Sequence, residues 1–157
     1  MPPDDPRSNY RLAREALLDR LEQQPAAVYR VEGERGATAA AALYEAALAG
    51  VTLSFALNGL GADGHTASLF PGSRALAERV RRVVAARPGL DPLVERITLT
   101  PPAFAETELL VYLAAGTEKA EAARRAFAEP PSESCPASIV RGRRTVAVLD
   151  QAAALLL

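Results

Sequence analysis

The chain has a single cysteine, Cys135, a single histidine, His65, and a single lysine, Lys119, in 157 residues. One cysteine forms no internal disulfide, and no metal-ligand spacing surrounds it, so a disulfide scaffold and a cysteine-built metal site are not expected. With no histidine near it in sequence, Cys135 is also weak as a nucleophile. Net charge is nearly absent: 18 basic against 19 acidic side chains leave −1. No global field favours nucleic acid or an anionic membrane. Clusters such as Arg79, Arg81 and Arg82, or Arg141, Arg143 and Arg144, read as solvated faces or strand edges. Long apolar runs are missing too. No stretch nears the roughly 18 residues of a membrane span. Met1-Pro2-Pro3-Asp4-Asp5-Pro6 has neither the basic region nor the apolar run of a signal peptide. The expectation is a cytoplasmic protein in a reducing compartment, with no membrane or nucleic-acid partner.

What the chain does have is the profile of one globular domain, residues 1–157, with 49% apolar and 24% charged residues. A chain of this length buries about 70% of the surface its unfolded form exposes. Ser8 or Asn9 caps a predicted helix over Tyr10–Gln23, ended by Pro25. Val28–Val31 reads as a short strand or extended arm, and Ala37–Leu48 as an Ala-rich helix stopped by Gly50. Val51–Leu57 reads as a buried strand running into a glycine-rich turn, with a helix expected between that turn and Pro71-Gly72. Further strands are predicted at Val80–Ala85, Arg96–Thr100, Glu108–Ala114 and Thr145–Leu149. Helical segments are expected at Pro102–Glu106, at Gly116–Phe127 and after Asp150. Strands that alternate with helices predict an α/β fold: a three-layer α/β/α sheet.

The densest chemical signal is the strand followed by Asn58-Gly59-Leu60-Gly61-Ala62-Asp63-Gly64-His65. In open α/β sheets ligands bind where strands end and helices begin. Gly59, Gly61 and Gly64 let the backbone turn sharply and approach a ligand. A helix starting there would offer N–H groups to an anion or oxyanion. His65 is the best available general base near neutral pH, and Asp63 is placed to orient its ring or to bind a substrate hydroxyl. The competing reading is structural, because a lone histidine or a Gly-x-Gly fragment is commonly part of the scaffold. The turn is not a dinucleotide fingerprint, since no matching acidic residue follows a second strand. Arg96, opening a strand, and Lys119, in the first turns of a helix, are candidate phosphate clamps. Surface ion pairing is the plainer alternative for both.

Leu60-Gly61-Ala62-Asp63-Gly64-His65-Thr66-Ala67-Ser68-Leu69-Phe70-Pro71-Gly72 resembles the signature of the 6-phosphogluconolactonases. Ser8–Ala13, Arg96–Thr100, Gly116–Ala120 and Pro136–Ser138 resemble supporting segments, in the family's order. The related glucosamine-6-phosphate deaminases share Asp-Gly-His but continue differently. Phe70 and Leu69 stand where a deaminase has glutamate and asparagine, polar groups it needs for ring opening and proton transfer. The resemblance implies hydrolysis of 6-phosphoglucono-δ-lactone to 6-phosphogluconate in the pentose phosphate pathway, without cofactor or metal. It implies that His65 activates water, Asp63 supports it, and Arg96 and Lys119 hold the 6-phosphate. Backbone N–H groups of the glycine loop would meet the oxyanion.

The resemblance covers roughly the C-terminal two thirds of such an enzyme. The family's leading strands, its glycine-rich phosphate loop and an Asp-Glu-Arg segment have no counterpart here. The expected consequences are a sheet lacking its first strands, an exposed edge or face, an incomplete phosphate site and impaired turnover. A monomer is favoured for the complete enzyme. The alternatives are a non-catalytic sugar-phosphate-binding or degenerate fragment and, further off, a deaminase-like isomerase.

Overall fold

Ser8 begins the first helix, its hydroxyl accepting the Arg11 N–H at 3.3 Å. The computed structural model describes residues 1–87 and 94–157. Helix α1 (Asn9–Ala16) ends sooner than the sequence predicts and passes into a 3-10 turn at Leu18–Arg20. No α1 residue is buried, so no packed face sustains further turns. Val28–Val31 is an arm rather than a strand, because no strand among the described residues pairs with it. Helix α2 (Ala37–Ala47) matches expectation, and Gly50, at φ +72°, turns the chain away from it.

Three parallel strands form the central sheet in the order β1 (Phe55–Gly59), β4 (Leu109–Ala114), β5 (Arg144–Leu149). Strand β1 starts later than predicted because its partner starts only at Leu109, opposite Phe55. Two further strands, β2 (Val83–Ala86) and β3 (Arg96–Leu99), pair antiparallel as a separate ribbon against which α2 packs. Helices α3 (Pro101–Ala105), α4 (Ala120–Phe127) and α5 (Pro136–Ile139) follow β3, β4 and the loop after α4. Alternating strand positions aim Leu110, Tyr112 and Ala114 at these helices, where they join Phe104, Ala122, Ala123, Ala126 and Val140 in the main core. The other face carries Phe55, Leu57, Leu113 and Val148, which are 48–59% exposed. One face of the parallel sheet is therefore open. Among the described residues no helix is long and apolar enough to cross a membrane.

Three expectations need correction. No helix forms between the glycine turn and Gly72; the segment is a run of turns with a Thr66–Leu69 bridge. Positive φ at Gly64 and at Ala67, the one non-glycine with positive φ among the described residues, breaks any helical course. After Asp150 the chain forms turns rather than a helix, although Asp150 Oδ1 does accept the Ala153 N–H. The arginine clusters are not uniformly solvated. Arg82 donates to the Leu48 carbonyl at the end of α2, and Arg141 donates to the Ala126, Ala137 and Val140 carbonyls. These are cations set where helices leave unpaired carbonyls.

Candidate active site

Strand β1 delivers the chain to the carboxyl edge of the sheet, and the glycine loop starts there. Gly59 ends the strand and Asp63 and His65 follow within six residues. Asp63 Oδ1 lies 2.6 Å from His65 Nδ1 and also accepts the His65 backbone N–H at 3.1 Å. Burial pushes the Asp63 carboxyl up, but the backbone N–H and the ring of His65 outweigh it and hold the group below the usual carboxylate range. Phe70 is buried, its ring centroid 4.6 Å from that of His65. Phe70 is therefore an apolar wall behind the imidazole.

The glycines have distinct roles. A Cβ on Gly61 would stand 2.0 Å from His65 Nδ1 and 2.6 Å from Asp63 Oδ1, so only hydrogen fits beneath the pair. Gly64 has φ +90°, and a Cβ there would meet Cys135 Sγ at 2.8 Å. A Cβ on Gly59 would meet nothing. Gly61 N–H donates to the His65 carbonyl and Gly64 N–H to the Gly61 carbonyl, both at 2.9 Å. Those two donors are engaged within the loop, and the missing helix removes its N-terminal N–H groups from the expected anion site. The Gly64 carbonyl accepts the Ala137 N–H at 2.9 Å, which ties the loop to α5. Cys135 is buried beside it, and burial pushes its thiol up, against any role as a nucleophile.

Arg96 and Lys119 stand on separate elements, and the cleft that Arg96 lines includes neither Lys119 nor the Asp63–His65 pair. Gly59 pairs with Leu113, so the 3-10 turn Thr117–Lys119, which follows β4, leaves the same sheet edge as the glycine loop. Lys119 is half-buried there. Arg96 opens β3, two residues before Thr98, whose Oγ1 accepts the Ser68 N–H at 3.1 Å and so holds the loop against this strand. Strand residues two apart share a face about 7 Å from each other. Arg96 lines a cleft of about 930 Å³ with Arg7, Ser8, Asn9 and Arg30. Its buried Nε has no hydrogen-bond partner among the described residues. The sequence reading missed Arg7 and Arg30 as neighbours of Arg96, because their approach depends on a loop that carries no strand periodicity. It also missed Asn58 and Thr66, both buried beside the loop; the signal was a polar residue breaking the apolar run of β1. Among the described residues no cluster of three or more His, Cys, Asp or Glu side chains could hold a metal ion.

Residues 1–149 match the family model of glucosamine-6-phosphate isomerases/6-phosphogluconolactonase. A 6-phosphogluconolactonase of Mycobacterium leprae is 37% identical over 168 residues, covering 98% of this chain and 68% of that protein. One of Streptomyces coelicolor is 36% identical, covering 98% and 65%. The solved structure of the 6-phosphogluconolactonase from Trypanosoma cruzi superimposes with a TM-score of 0.84 at 31% identity, covering 100% of this chain and 69% of that one. The chain thus spans about two thirds of the length of these relatives, and it shares their α/β/α fold. It belongs to the glucosamine-6-phosphate isomerase/6-phosphogluconolactonase family.

Proposed function

We propose that the chain carries the hydrolytic site of a 6-phosphogluconolactonase, opening 6-phosphoglucono-δ-lactone to 6-phosphogluconate. The observation that carries this is the Asp63–His65 contact. A carboxylate 2.6 Å from Nδ1 holds the neutral ring in the Nδ1–H tautomer, which leaves the lone pair on Nε2. The ring is held from one side by Asp63 and backed by Phe70, yet its side chain remains 23% exposed. Nε2 then takes the proton of a water attacking the lactone carbonyl, and the ring C–O bond breaks as the tetrahedral intermediate collapses. The ring oxygen leaves as an alkoxide and takes up a proton, so no cofactor or metal is needed to balance the step. General-base help of this kind is worth about 10²–10⁴-fold. Arg96 and Lys119 supply charge for the 6-phosphate, Arg as a planar fork and Lys as a point charge. The apolar Phe70 supports the lactonase over the deaminase reading, since a buried ring transfers no proton. The same site and cations also fit a binding-only protein. The substrate is an activated ester and the ring is open to water, so reaction is expected wherever the base is aligned.

The test is lactone hydrolysis above the spontaneous rate, comparing the chain with His65→Asn. It is run on the 157 residues as they stand and with the part of the M. leprae relative that they do not match supplied in the same chain. Loss of two or more orders of magnitude with an unchanged melting temperature supports the base role. Undiminished turnover by a folded His65→Asn variant removes it. Saturable binding of 6-phosphogluconate without any turnover, in both forms, would leave the binding-only reading in its place.

A further inference from the structure

The residue after His65 is more deeply buried than any other polar group of the loop. Thr66 is 1% exposed. Its Oγ1 donates to the Gly59 carbonyl at 3.0 Å and accepts from Asn58 Nδ2 at 3.1 Å. Both partners are the last two residues of β1. The hydroxyl thus closes the loop onto the strand from which it leaves, with Asp63 and His65 held inside the closure. Asn58 is itself 9% exposed, and an amide at a buried strand position is costly unless its donors are used. The backbone on either side is fixed independently: Gly61 donates to the His65 carbonyl, Leu69 donates to the Thr66 carbonyl, and Ser68 to Thr98. Ala67 sits at φ +50°, a conformation an alanine keeps only when its surroundings impose it.

We propose that Thr66 is a positioning residue for His65, its hydroxyl clamped between Asn58 and the Gly59 carbonyl so that the imidazole meets Asp63 in one orientation. Asp63 sets the ring from its Nδ1 side, and Thr66 sets the backbone from which the ring projects. The proposal rests on the reading of His65 as the base, but its structural half stands apart from turnover. A general base acts only within hydrogen-bond reach of the proton it takes. A displacement of about 1 Å costs up to about 10²-fold, and the loss falls on the chemical step rather than on substrate binding.

Thr66→Val keeps the shape and removes the hydroxyl; Thr66→Ser keeps the hydroxyl and removes the methyl. His65 is the only histidine, so a long-range proton–nitrogen NMR spectrum reads its tautomer without interference. The parent and Thr66→Ser are expected to show one tautomer, protonated at Nδ1, and Thr66→Val an averaged pair. In the lactonase assay Thr66→Val is expected to lose at least tenfold in kcat with KM within twofold, while Thr66→Ser stays within threefold of the parent. An unchanged NMR signature in Thr66→Val overturns the proposal, as does a Thr66→Ser variant as impaired as Thr66→Val, or a loss that appears in KM. Should Thr66→Val fail to fold, Asn58→Leu breaks the clamp from the strand side and is judged by the same spectrum. If His65→Asn retains turnover, the base reading fails, and the spectrum still decides whether Thr66 orients the ring.

Discussion

Gly61 leaves no room for a side chain beneath the Asp63–His65 pair, whereas Gly59, two residues earlier, faces open space. Gly61→Ala must push the imidazole aside, because the nearest atoms are side-chain ends and the loop backbone need not yield. Lactonase turnover is expected to fall at least about 10²-fold, with a melting temperature close to the parent's. Gly59→Ala meets no atom, so it reads substrate approach alone: a rise in KM would show that the ligand passes over Gly59, and an unchanged KM that it does not. Asp63 supplies a prediction with a pH sign. Its carboxyl is depressed below the ordinary value, so it contributes stability above the unfolded pKa, about 3.9, and loses that contribution as pH falls through the lower folded value. The melting temperature of Asp63→Asn is therefore expected to trail the parent's at neutral pH, with the gap closing in strong acid. Equal gaps at pH 7 and pH 2 would show that the carboxylate's charge contributes nothing. Half-exposure and screening keep the effect small.

Tyr112 joins strand to helix and fixes how the site is held from below. Its hydroxyl donates to the Val140 carbonyl at 3.0 Å from a wholly buried ring, and burial pushes its pKa up to about 12. Tyr112→Phe is expected to cost about 1 kcal/mol in urea unfolding, since Arg141 still satisfies the Val140 carbonyl. A cost near zero would assign the anchoring to Arg141 alone. The elements of this core were the legible ones: β4 and β5 are short apolar runs rich in Leu and Val, and α2 is a continuous alanine-rich run between glycines. The segment from Gly61 to Gly72 was legible in chemistry and not in shape. Its spacing and its histidine pointed to a site, yet a helix was expected where turns occur. That segment is shaped by contacts distant in sequence, Gly64 with Cys135 and Ala137, and Ser68 with Thr98, which no local pattern encodes. The early end of α1 has the same origin, since its apolar residues find no surface to cover. The positions of Asp63 and His65 were read correctly as neighbours because two residues in a tight turn cannot separate. Arg96 and Lys119 depend on how separate elements meet, which no local spacing encodes.

At the scale of the molecule, the open face of the parallel sheet governs behaviour in solution. Parallel sheets are normally covered on both faces, and here one face is packed by α3, α4 and α5 while the other presents Phe55, Leu57, Leu113 and Val148. The register sets Leu113 beside Val148, and Leu57 beside Val111, so the exposed side chains form neighbouring rows rather than scattered points. About a third of each of these relatives is not covered by this chain. A contiguous apolar patch of this kind drives association or dye binding. The 157-residue chain is expected to bind the dye ANS in its folded state and to self-associate with rising concentration in light scattering. Leu57→Glu with Leu113→Lys should suppress both. Each side chain is already more than half exposed, so little burial is lost, and single surface changes of this sort stay within about 0.5 kcal/mol. The melting temperature should then shift by only a few degrees. Opposite charges on adjacent strands also avoid adding net charge, which separates loss of the patch from simple electrostatic repulsion. A parent chain that stays monomeric and dark to the dye would mean that the face is covered in solution. A double variant that unfolds would mean that these residues support the sheet from inside a contact formed only when chains meet.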